Sequence, residues 1–189
     1  MKKTETGLLD CYLIEPNRFG DDRGYFSPYF IQNDFAELGF RGVVQASRSM
    51  SSKGVLRGLH FQKDPKCQAK LVEVIAGAAI DVVVDIRKNS ASFGKYTAVL
   101  LTPDNNTQLF VPRGFAHGFL ALEDHTVFQY LIDNDYAPEL EGGILYNDPA
   151  IGIPWDQYFR QYGISEPLLS PKDLKHRPLE ETAIDFRRG

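Results

Sequence analysis

Four histidines, His60, His117, His125 and His176, are spread over 189 residues, and two of them stand in settings suited to chemistry. His60 ends the run Gly54-Val-Leu-Arg-Gly-Leu-His60 and is followed by Phe61-Gln62, while His117 lies in Pro112-Arg-Gly-Phe-Ala-His117-Gly-Phe119. Imidazole changes charge near neutral pH, so a histidine among apolar strand residues serves either as a general base or as a hydrogen-bonded core group. A base that takes a proton from carbon needs two companions: a proton donor across the site and a fixed cation for the developing negative charge. Tyr130, within Thr126–Ile132, is a candidate donor, and Tyr136 follows before Ala137-Pro138-Glu139. Taken singly, such tyrosines are as well explained as packing groups with a satisfied hydroxyl. Lys70, in Gln68-Ala-Lys70-Leu-Val, reads either as a solvent-facing lysine or as a cation set against an enolate oxygen. Arg23 and Arg57 have the planar fork that clamps a phosphate bidentately.

The segments that carry these residues read as short strands. Candidates are Leu8–Ile14, Tyr25–Phe30, Gly42–Ala46, Val55–Phe61, Leu71–Ile75, Ile80–Ile86, Tyr96–Leu101, Gln108–Val111, Gly118–Leu122 and Thr126–Ile132. Their regular spacing, punctuated by Gly, Pro, Asn and Asp, predicts a sandwich or barrel. Ile80-Asp-Val-Val-Val-Asp-Ile86 alternates only loosely and is expected to be a central strand. One helix is expected over Asn33–Leu38, capped by Asn or Asp and stopped by Gly39. Beyond Pro138 the pattern turns to loops and short helical turns, and this tail is expected to wrap the barrel. The final stretch, Leu174–Gly189, reads as a surface tail made basic by Arg187 and Arg188. The expected fold class is all-β, as a single domain over residues 1–189 with small helical additions toward the C-terminal end.

Composition removes several classes of function. The net charge is −4, the wrong sign for a general nucleic-acid binder. No apolar run is long enough to span a bilayer, and MKKTETGLLD lacks the apolar stretch of a signal peptide, so a cytoplasmic location is expected. Cys11 and Cys67 are the only cysteines and have no motif around them; reduced, structural thiols are expected. No G-x-S-x-G elbow, Gly-rich phosphate loop or G-x-G-x-x-G is present, which weighs against nucleophilic, kinase-like and dehydrogenase-like chemistry.

The spacing G-x5-H-x-Q followed by P-x-G-x-x-H resembles the two motifs of the cupin jelly roll. Metal-binding cupins carry a second His where Gln62 stands and a Glu soon after, and neither is here. Two candidate ligands fall short of the three or four that a divalent metal requires, so a metal-free site is expected.

A longer series of matches, from about Phe19 to Asp173, resembles dTDP-4-dehydrorhamnose 3,5-epimerases and related epimerases of nucleotide-activated 4-keto-6-deoxy sugars. It comprises Phe19-x-Asp21-x-Arg23-Gly24-x-Phe26, Gly54-Val-Leu-Arg-Gly-Leu-His60-Phe-Gln62, Gln68-Ala-Lys70-Leu-Val and Asp81-Val-Val-Val-Asp85-Ile-Arg87. Pro112-x-Gly-Phe-Ala-His-Gly-Phe119, Tyr136-Ala-Pro-Glu139 and Leu169-Ser-x-Lys-Asp173 complete it. The resemblance implies a homodimeric, cofactor-free jelly roll acting on a nucleotide sugar. It assigns His60 as general base, Asp173 as the carboxylate that orients it, Tyr130 as proton donor and Lys70 as the cation near the C4 keto oxygen. Arg23, Gln45, Arg57, His117, Glu141 and Lys172 match substrate-holding positions, with Phe19, Phe26 and Ser47 beside them, and Tyr136 matches a ring that stacks on the base. Pro28, Ser47-Arg48 and Tyr146 depart from the usual pattern, which has Glu, Asn-His and Trp there. The departures leave open a single-carbon epimerase or a ketoisomerase on another nucleotide deoxysugar. A non-catalytic sugar-binding cupin is the reading from outside enzymology.

Overall fold

The computed structural model describes residues 1–188. Its thirteen strands are β1 (Lys2–Glu5), β2 (Tyr12–Glu15), β3 (Phe19–Asp21), β4 (Gly24–Phe26), β5 (Gln45–Ser51), β6 (Leu56–Gln62), β7 (Lys70–Ala76), β8 (Ala79–Asp85), β9 (Tyr96–Leu101), β10 (Gln108–Val111), β11 (Phe115–Ala121), β12 (Thr126–Ile132) and β13 (Glu141–Gly143). A six-stranded sheet runs β1-β2-β10-β7-β12-β5, and a five-stranded sheet runs β13-β6-β11-β8-β9. The chain has the cupin-like jelly-roll fold expected of it. β3 and β4 stand apart as a two-stranded hairpin.

Alternation along each strand decides what faces the space between the sheets. On β7, Val72 and Val74 join an apolar cluster with Val83, Phe119 and Phe128, whereas Leu71 packs outward with Phe35, Phe40 and Phe110. With side chains alternating at period two, Lys70 shares the inward face of Val72 and Val74. The same rule turns Tyr130 inward with Phe128, against which its ring stands at 5.0 Å. On β8, Ile80, Val82 and Val84 belong to the outer layer and Val83 to the inner one, so Asp81 points inward. Every residue of β8 is buried, and it lies between β11 and β9, as a central strand should.

Helix α1 spans Gln32–Ala36, one residue earlier than the sequence suggests, with Ile31 and not Asn33 or Asp34 at its N-cap. Its anchor is Phe35, stacked on Phe30 at 5.1 Å; Gly39, at φ +87°, takes the left-handed turn that ends it. A second helix, α2 (Trp155–Tyr162), is one of the helical additions expected beyond Pro138, and it stops at Gly163, φ 61°. The C-terminal segment covers the outer face of the five-stranded sheet, with Ile151, Ile153, Trp155 and Ile164 in its core. Leu179, Ile184 and Phe186 are buried in that same layer, so the last stretch is a packed strap and not a surface tail. Arg87 ties this end down: its guanidinium donates to Asp85 at 2.7 Å and to Asp10 at 2.8 Å, and Arg188 also donates to Asp10 at 2.8 Å. Among the described residues, no helix is long and apolar enough to cross a membrane.

Candidate active site

His60 and His117 meet because two glycines let their strands close. His60 on β6 pairs directly with His117 on β11, and the register shifts between His117 and Phe119. Beside them, a Cβ on Gly58 would run into the Gly118 backbone, and one on Gly118 into the Arg57 carbonyl. The glycines of the two motifs are thus a requirement of strand approach.

The inward faces enclose a cavity of about 220 Å³ lined by Gln45, Ser47, His60, Phe61, Gln62, Gln68, Lys70, Tyr130, Ile132, Tyr136 and Glu141. His60 belongs to the five-stranded sheet, whereas Gln45, Ser47, Lys70 and Tyr130 belong to the six-stranded one. The imidazole and the phenol therefore stand on different walls of one cavity.

Asp173, in a 3-10 turn over Asp173–Lys175, reaches His60 from far along the chain: its Oδ1 lies 2.5 Å from Nε2. Burial alone would raise the Asp173 carboxyl, but the hydrogen bond and charge of His60, with a bond from Ser170, hold it below the usual carboxylate range. An ionised, buried Asp173 fixes Nε2 as the protonated nitrogen and leaves Nδ1 with the lone pair.

Tyr130 is pushed up to about 12 by burial, and its hydroxyl lies 3.4 Å from Ser49 Oγ. The phenol therefore keeps its proton throughout the neutral range. Lys70 is lowered by burial, with Asp81 and Glu141 pulling it back up. Its position in the cavity removes the solvent-facing reading. His117 sits behind Tyr130, ring centroids 6.2 Å apart, and its Nε2 lies 2.6 Å from buried Asp81. Lys172 and Tyr136 both bind Glu141, at 2.5 Å and 2.7 Å, and override the burial that would otherwise raise its carboxyl. The Gln45 amide donates to Ser47 Oγ at 2.8 Å, and Arg57 Nε donates to Ser51 Oγ at 3.2 Å.

Arg57, His117, Lys172 and Asp173 do not line the cavity themselves, though the last three contact Tyr130, Glu141 and His60, which do, and three expected residues lie away from it altogether. Phe19, Arg23 and Phe26 lie on the β3–β4 hairpin, where the Arg23 guanidinium pairs with Asp21 at 2.5 Å and the two rings are 60% and 70% exposed. Of the departures from the usual motif, only Ser47 lines the cavity; Pro28 sits near Ile14 and Phe35, and Tyr146 packs on Trp155 at 6.3 Å.

Sequence reasoning missed two groups. Asp81 had a signal: a carboxylate inside an apolar strand needs a buried partner, here His117. His176 follows Asp173 by three residues, a spacing that a 3-10 turn places on one side; its ring stands 5.5 Å from that of His60. His60, Asp173 and His176 are the one group of three candidate metal-ligating residues among those described, with ligand atoms within 4.8 Å of one another. In this arrangement His60 Nε2 and Asp173 Oδ1 are engaged with each other.

A cupin-like barrel with a His–Asp pair facing a buried phenol and lysine defines a class of acid–base enzymes. The chain belongs to the dTDP-4-dehydrorhamnose 3,5-epimerase family, an isomerase family whose model matches residues 5–181. It is 49% identical over 183 residues to the dTDP-4-dehydrorhamnose 3,5-epimerase of Escherichia coli K12, covering 96% of each chain. Among solved structures, the Legionella pneumophila dTDP-6-deoxy-D-glucose-3,5-epimerase in complex with dTDP-4-keto-L-rhamnose superimposes with a TM-score of 0.90 at 38% identity, covering 100% of this chain and 99% of that one. ChmJ, a 3'-monoepimerase from Streptomyces bikiniensis seen with dTDP-quinovose, gives a TM-score of 0.82 at 32% identity over 92% of this chain and 86% of its own.

Proposed function

We propose that the protein inverts C3 and C5 of a dTDP-linked 4-keto-6-deoxyhexose, converting dTDP-4-dehydro-6-deoxy-D-glucose to dTDP-4-dehydro-L-rhamnose. The observation that carries this reading is one cavity with the His60–Asp173 pair on one wall and Tyr130 with Lys70 on the other. His60 Nδ1 takes the hydrogen next to the C4 ketone, and the electron pair moves onto the carbonyl oxygen as an enolate. Lys70 holds that oxygen; a fixed charge in a site shielded from water stabilises it by several kcal/mol, on the order of 3. Asp173 compensates the imidazolium that forms. Tyr130 then gives its hydroxyl proton to the opposite face of the carbon, which inverts it; Tyr130 recovers a proton from solvent and His60 releases to solvent the one it took. One base working alone would tend to return the proton to the face it came from.

The substrate is held by Gln45, Arg57, His117, Glu141 and Lys172, with Tyr136, 55% exposed at the cavity edge, stacking on its base. Ser47 lines the wall and favours the second reading, inversion at one carbon only. Product analysis by proton NMR separates the two: coupling constants of the L-rhamno ring support double inversion, and unchanged substrate counts against both.

The protein works as a homodimer in this reading. The β3–β4 hairpin, exposed along its whole length, extends Phe19, Arg23 and Phe26 away from their own cavity, as an arm reaching a second copy would. Sedimentation should give twice the 21.3 kDa chain mass, and a monomer at micromolar concentration would oppose this. Buried free thiols at Cys11 and Cys67 suit a reducing, cytoplasmic setting.

The alkaline limb of activity follows from the two buried groups. Tyr130, at about 12, keeps its proton well beyond the point where Lys70, lowered by burial, loses its own. The kcat/KM profile should therefore fall as Lys70 deprotonates, below the ordinary lysine value of about 10.4. Lys70→Arg, which stays charged, should move that limb to higher pH; an unmoved limb would remove Lys70 from this role.

A further inference from the structure

Gly143 and His176 form a feature that the proton-transfer scheme leaves unused. Gly143, on β13, is the residue paired with His60 on β6. A Cβ at Gly143 would overlap the His176 imidazole, so the missing side chain is what makes room for that ring. His176 stands edge-on to His60, centroids 5.5 Å apart and planes at 84°. Asp173 holds His60 at Nε2, and packing by His176 supplies a second constraint on the ring. The Nδ1 of His176 is buried without a hydrogen-bond partner among the described residues.

These contacts bear on charge as well as position. Protonating His176 would bury an unpartnered N–H on a cation, beside a base that must itself become positive. Burial first, then the charge of His60, with Lys172 in the same sense, hold His176 below the usual histidine range; Asp173 and Glu141 oppose this but do not reverse it.

We propose that His176 is a positioning residue for the His60 base: seated by Gly143, it fixes the plane of the His60 ring. This rests on the assignment of His60 as base. Of the two neighbouring imidazoles, one takes up a proton in turnover and the other keeps the first in line.

Three substitutions test it, each compared by thermal melting with the parent protein. His176→Ala frees the His60 ring and should lower kcat about tenfold, with KM within about threefold. His176→Phe restores a ring of similar bulk and should recover most of that loss. His176→Lys sets a fixed charge beside His60, makes it harder to protonate, and should move the acid limb of kcat/KM down by about one unit. Wild-type kcat in His176→Ala, no recovery in His176→Phe, or an unmoved limb in His176→Lys would each overturn the proposal. A His60→Ala protein that still turns over would instead overturn the assignment of the base.

Discussion

His60→Ala abolishes exchange of the substrate's C3 and C5 hydrogens with solvent and lowers turnover by about 10³-fold or more, while dTDP binding stays within a few-fold. The magnitude is that of a general base removed from a site where nothing replaces it. Binding survives because none of the groups assigned to holding the substrate depends on the His60 ring for its own hydrogen bond: Arg57 donates to Ser51, and Lys172 pairs with Glu141. The substitution also leaves Asp173 buried without its partner, which costs about 3–5 kcal/mol if the carboxylate stays charged. His60→Gln, whose amide can donate to Asp173, is therefore the companion that separates loss of the base from loss of the fold. Exchange at the wild-type rate in either variant, measured by proton NMR in deuterated water, would remove His60 from the role.

Tyr130→Phe gives a different signature. The base, its Asp173 partner and Lys70 are untouched, so hydrogens still leave and deuterium still enters from the His60 side. What is lost is delivery to the other face, and product of proper configuration should fall by about 10²-fold or more at one carbon at least. Structurally the change is mild, because the hydroxyl has one distant partner, Ser49 at 3.4 Å, and the ring keeps its contacts with Phe128 and His117. Uncoupling of exchange from inversion is the outcome that separates a proton donor from a packing ring; unchanged product would return Tyr130 to the latter.

The chemistry was more legible in the sequence than its geometry. The histidine motifs carried their own strand chemistry, since Gly58 and Gly118 stand next to His60 and His117 for the same steric reason that the strands meet there. Which face Tyr130 and Lys70 take could not be read, because both faces of β7 and β12 are covered and Leu71 and Leu131 are as apolar as Val72 and Phe128. β1 and β3 escaped notice, and the expected strand Tyr25–Phe30 meets β4 only at Tyr25 and Phe26, because every residue in these strands is exposed and no alternation marks them. Helix α2 buries only Trp155 and has no side-chain cap, which left Pro154 to read as one more loop proline. The contact of Asp173 with His60 spans 113 residues, and no local rule reaches that far.

The most direct test of the account is the deuterium content and configuration of product formed from dTDP-4-dehydro-6-deoxy-D-glucose in deuterated water. Proton removal at one wall and return at the other predicts one deuterium at C3 and one at C5, both carbons inverted. Deuterium at a single carbon would restrict the site to one inversion. Inverted product with no solvent deuterium at either carbon would contradict proton transfer through His60 and Tyr130 altogether.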